Sequence, residues 1–206
     1  MLKDVFINLL KNYTSDNGLI DELWTEMEEQ HANPKRHYHT LQHLENLFIQ
    51  LTKVKNDIQD WDTVLFTLFY HDAIYLATKS DNEEKSAELA EKRLSHIGVS
   101  RDKIERCKQQ ILATKSHIFS EEDDTNFFTD ADLSVLGQDW DTYANYFKNV
   151  RKEYAIYPNF IYKKGRKKVL NHFLTMDRIY KTDFFYKTYE TQAKRNISKE
   201  LTLLEM

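Results

Sequence analysis

An all-α fold is the prediction for this chain, and three features of the sequence carry it. Its 206 residues include only four Gly and two Pro, so turn formers are scarce. Apolar residues recur at helical spacing through one segment after another. No region is rich in strand-like patterns, and neither internal repeats nor low-complexity tracts interrupt the chain. At this length a sizeable core can be buried without staples, and one domain spanning residues 1–206 is expected.

The elements follow in order. The first helix is placed at about residues 2–13, with Val5, Phe6, Leu9 and Leu10 on one face. A turn near Ser15–Gly18 leads to a second helix carrying Leu19, Leu23, Trp24 and Met27. The polar stretch His31–His39 contains Pro34 and reads as an ordered loop. A helix over about 40–54 presents Leu41, Leu44, Leu47, Phe48 and Leu51 to a core. Asp60 or Asp62 caps the next helix, which runs through Val64–Tyr70 to His71-Asp72. Two amphipathic helices at about 83–96 and 101–116 are separated by Gly98. The acidic segment Ser116–Thr129 is expected to be irregular, a candidate mobile flap. The last helices are placed at about 131–137, 140–155, 160–180 and 183–204.

Composition narrows the function classes. A net charge of −4 and a pI near 6.1 give no general attraction for nucleic acid or membranes. No segment approaches the roughly 18 consecutive apolar residues of a membrane helix, and the N-terminus lacks the apolar core of a signal peptide. One cysteine, Cys107, excludes an internal disulfide framework; a reducing cytoplasmic location is expected. The basic run Lys163–Lys168 reads first as a solvated helix face. The Arg166 or Arg151 fork is the alternative, as a contact for substrate phosphate. Tyr143, Tyr146, Phe147, Tyr154, Phe173, Phe184 and Phe185 read as core.

His71 and Asp72 close an almost wholly apolar run, which places two polar side chains at the edge of a core. Such groups are seldom buried unless hydrogen-bonded, paired or bound to metal. Upstream lie His39 and His43, four residues apart; downstream lies Asp130-Ala131-Asp132. Imidazoles and carboxylates in this order suit a divalent metal. Adjacent residues point apart along a regular helix, but at a helix end His71 and Asp72 can converge on one ion. Taken singly, each residue also has a plain structural role, and Asp130 or Asp132 can serve as an N-cap.

The set His43, His71-Asp72 and Asp132 matches the H…HD…D pattern, and the chain resembles the HD superfamily of metal-dependent phosphohydrolases. Within it, the resemblance is to a branch with chains of similar length. The blocks Arg36–His43, Tyr70–Tyr75, Asn82–Ala87, Ile111–His117, Phe128–Gly137, Arg151–Tyr154, Gly165-Arg166, Arg178–Tyr180 and Ala193–Asn196 carry it. The resemblance implies a single helical HD bundle with additional C-terminal helices. It implies one divalent ion (Mn, Co, Ni, Fe, Zn or Mg) on His43, His71, Asp72 and Asp132, with His117 the candidate ligand for a second. The Tyr38-His39…His43 spacing also resembles the opening motif of cyclic-nucleotide phosphodiesterases, which makes His39 a general-acid candidate.

The function this resemblance implies is hydrolysis of a phosphoester or phosphoanhydride of a small molecule, a nucleotide first among substrates, by metal-activated water. Asp72 would also orient that water, Glu84 is a weaker candidate for the same task, and Lys115 is a candidate phosphate contact. Two rival readings are a metal-containing nucleotide sensor without turnover and an HD-type di-iron oxygenase, for which His117 is indispensable.

Overall fold

The computed structural model describes residues 1–205 and contains two compact units, Met1–Thr129 and Asp130 onward. Among the described residues there are ten α-helices and two short 3₁₀ segments, with no strand. The all-α expectation holds.

In the first unit, α1 (Leu2–Leu10), α2 (Asn17–His31), α3 (Leu41–Lys53), α5 (Asn82–His96) and α6 (Arg101–Ala113) accompany a central α4 (Trp61–Tyr70). Every residue of α4 from Thr63 to Tyr70 is buried, as befits a helix apolar all round. Its polar exceptions are satisfied: the Thr67 hydroxyl donates to Gln110 Oε1 at 2.6 Å. The Phe6 ring meets Phe69 edge-on at 4.8 Å and Trp24 at 5.6 Å, tying α1 and α2 to α4.

Helix ends are written in the sequence. Asp60 rather than Asp62 caps α4, accepting from Thr63 N at 3.2 Å and pairing with Lys103 at 2.5 Å. Asp62 instead accepts from the Tyr13 hydroxyl at 2.8 Å. Gly98, at φ 79°, ends α5 in a Schellman turn, with Val99 N donating to Leu94 O and Gly98 N to Ser95 O.

The segment expected to be irregular is so only over residues 116–122. Asp123–Asp132 forms α7. Asp123 and Asp124 suit its N-terminus, and the Asp124 carboxylate accepts from Gln59 N and Asp60 N, both at 2.8 Å, docking α7 beside the start of α4. The residues before it are fastened by Asn126, which exchanges hydrogen bonds with the backbone of Ser120 at 2.9 and 2.7 Å.

The second unit contains the 3₁₀ segment Leu133–Gly137, α8 (Trp140–Glu153), α9 (Asn159–Thr175) and α10 (Asp183–Glu205). Thus α9 stops before the expected residue 180, and residues 176–182 form a connection held by buried carboxylates. Glu190 accepts from Ile179 N and Tyr180 N. Asp130 accepts from Lys181 N, Thr182 N and the Thr182 hydroxyl. Gly137 has no room for a side chain: a Cβ there would lie 2.5 Å from Tyr189 Cβ.

Candidate metal centre

Three segments of the first unit converge on the candidate centre. His43 lies in the first turn of α3, His71 caps the C-terminus of α4, and Asp72 follows in the turn. The expected convergence at a helix end occurs, with Asp72 Oδ2 3.1 Å from His71 Nε2 and 3.7 Å from His43 Nε2. The two imidazole Nε2 atoms are 3.2 Å apart. His39 precedes the N-cap Thr40, so an extended residue rather than a shared helix face brings it near; its Nε2 is 4.0 Å from Asp72 Oδ2.

The orientation of the cluster is fixed from outside. His71 Nδ1 lies 3.0 Å from Leu68 O, and donation there leaves the Nε2 lone pair of a neutral ring facing the cluster. Phe128, on α7, meets the His71 ring edge-on at 5.4 Å. Asp132 lies one helical turn further on and closes α7. His43, His71 and Asp132 each offer one ligand atom, all within 4.8 Å of one another, and this group could hold a metal ion.

The donor set fits a divalent ion. Two nitrogens bound to one ion at about 2.1 Å stand about 3.0–3.4 Å apart for ordinary coordination angles, and the observed spacing of 3.2 Å falls in that range. Burial raises the Asp72 carboxyl, but His71, His39 and His43 in their protonated forms outweigh it and hold the group far below the usual carboxylate range. Asp72 is therefore an anion at neutral pH, although the group of ligand atoms within 4.8 Å of one another comprises His43, His71 and Asp132 without it.

The remaining expected residues are placed as follows. Glu84 and Lys115 pair with each other at 2.5 Å on the surface, where Lys115 also donates to Ser80 O. Their bond fastens the end of α6 to the start of α5. The Arg151 guanidinium caps α8 and the following turn, donating to Tyr154 O, Tyr157 O and Asn159 Oδ1, and lies over the Tyr162 ring. Arg166 is buried, with its fork on Glu200 at 2.8 and 3.0 Å and its remaining nitrogen on the Tyr146 hydroxyl. Both forks are occupied by the second unit's own groups. Asp130 is fully buried against Lys181 at 2.8 Å and clamps the start of α10, a structural role that leaves Asp132 as the ligand candidate. His117, at φ 52°, lies four residues beyond the end of α6 and is not one of the group His43, His71 and Asp132.

Arg36 was not singled out by residue chemistry, although it opens the first motif block. It is 6% exposed, and its guanidinium donates to Asp72 O at 2.7 Å, Ala73 O at 2.9 Å and His39 O at 3.3 Å. One side chain thus joins the backbone bearing His39 to the backbone bearing Asp72. The Tyr75 ring lies 4.0 Å from His39 and beneath Arg36, and is held in turn because Ser86 and Asn82 bond the chain on either side of it. The blocks Tyr70–Tyr75 and Asn82–Ala87 therefore act together in placing His39. A lone Arg among polar loop residues carries no periodic signal, which is why only the fold exposes this role.

Among the described residues no helix is long and apolar enough to cross a membrane. Comparison with protein-family models, with curated proteins and with solved structures returned no match.

Proposed function

We propose that the chain is an HD-type, metal-dependent phosphohydrolase acting on a small phosphorylated molecule, with nucleotides the first substrate class. The observation that carries this reading is the convergence of two buried imidazole nitrogens 3.2 Å apart with an ionised Asp72, beside a third histidine held outside that pair. His43, His71, Asp72 and Asp132 would hold the ion. A divalent ion at such a site acidifies water and offsets the charge of a phosphoryl group.

The chain's own residues divide the remaining work. Asp72 orients water through a carboxylate that stays ionised at neutral pH. His39 is 19% exposed and fixed by Tyr75, so its Nε2 is accessible as the proton donor to a departing oxygen. Arg36 sets the separation of those two residues through their backbones.

The test is phosphate release from a panel of nucleotides and sugar phosphates supplied with Mn²⁺, Co²⁺, Ni²⁺ or Mg²⁺. Release that disappears in Asp72→Ala is the expected result. Metal binding with no release from any substrate contradicts hydrolysis and favours the sensor reading.

A further inference from the structure

Two surface patches of opposite charge each carry bare aromatic and aliphatic side chains. In the first unit, Ile118 and Phe119 are 60% and 69% exposed, and the exposed acids Glu121, Glu122 and Asp123 follow directly. In the second unit, Ile156 in the turn before α9 and Phe160 in its first turn are 71% and 73% exposed, with Ile161 next in sequence. No acidic residue occurs from Tyr154 to Met176, whereas Lys163, Lys164, Lys167 and Lys168 all fall on α9.

The charges beside these apolar residues are uncommitted. Among the described residues Lys164 and Lys168 form no ion pair, and neither do Glu121 and Glu122. Lys167 reaches Glu205 only at 3.9 Å. Isolated exposed apolar residues are ordinary. Here two large ones lie within five residues of one another in each segment, each flanked by charge of one sign, which is the pattern of an apolar centre with a charged rim.

We propose that the two patches are the halves of a self-association contact, in which the Ile118–Asp123 segment of one copy docks on the Ile156–Lys168 face of another. Charge complementarity selects a second copy as the occupant. The acidic half would be repelled by an anionic membrane or nucleic acid, whereas another molecule of this chain offers a partner to each half. Each copy carries both halves, so the contact is available to every molecule.

The experiment is sedimentation velocity on the full chain across low to high micromolar concentration, at low and high salt. The wild type is expected to associate with concentration and to loosen with salt. Glu121→Lys/Glu122→Lys, and separately Lys164→Glu/Lys168→Glu, should each raise the dissociation constant by at least about tenfold. All four positions are exposed, and circular dichroism checks that the helices are kept. Mixing the two variants restores opposite charges at the contact, so hetero-association should return. A wild type that stays monomeric throughout overturns the proposal, as does association that survives both reversals. Binding of α9 to anionic vesicles by a monomeric chain overturns it equally.

Discussion

His43 Nε2 and His71 Nε2 stand 3.2 Å apart, although the two residues come from different helices and both are buried. A distance this short suits either a shared proton or a shared ion. The Leu68 carbonyl takes the other nitrogen of His71, which turns the Nε2 lone pair toward His43. That lone pair can accept the Nε2–H of His43 or bind a metal ion, and the metal reading leads to the following expected outcomes.

Asp130 and Asp132 should separate cleanly under substitution. Asp132→Asn is expected to lose metal while keeping its stability. Asp130→Asn removes the anion opposite buried Lys181 and should cost about 3 kcal/mol in chemical denaturation while sparing metal content. The reverse assignment would be shown by metal loss in Asp130→Asn alone.

His39→Gln should leave metal content near that of the wild type and lower turnover by about 10²-fold or more, the usual scale for losing a positioned general acid. Loss of metal to the same extent as in His71→Ala would make His39 a ligand instead.

Arg36→Lys retains a charge but cannot reach three carbonyl oxygens at once. Stability should fall by about 2 kcal/mol, and turnover should fall further than metal affinity, because the separation of His39 from Asp72 is what the fork maintains. A variant with wild-type turnover but reduced stability would confine Arg36 to a structural part.

His31 is buried with its Nδ1 on Met27 O at 2.9 Å, and burial pushes the ring down from 6.5 to about 4. The ring binds a proton more readily in the unfolded chain than in the folded one. Its contribution to stability is thus complete above pH 6.5 and lost as pH falls from 6.5 toward about 4. The loss amounts to about 3 kcal/mol. His31→Phe should flatten stability over that window relative to the wild type; parallel pH profiles for the two proteins would remove this account.

The helices were legible because α4, α5, α6, α8 and α10 each repeat apolar residues at helical spacing or begin at an aspartate cap. The segment 123–129 was not, since Asp123 and Asp124 read equally as loop residues and as the favourable first turn of a helix; only their docking onto the start of α4 decides. The candidate ligands were legible as a pattern of residue types. Their supports were not: Arg36 acts through backbone carbonyls far along the chain, and Tyr75 through a ring contact, and neither relation leaves a mark on spacing. Lys115 and Arg166 illustrate the converse, because a cation in a motif block can be bound by a carboxylate that sequence alone does not place beside it.

The central claim is that His43, His71, Asp72 and Asp132 hold a divalent ion, and elemental analysis of the purified chain beside His71→Ala tests it most directly. About one transition-metal ion per wild-type chain, and less than about a tenth of that in the variant, is the predicted result. A wild type that binds no divalent metal even when supplied with it, or a variant that holds as much as the wild type, would contradict the claim.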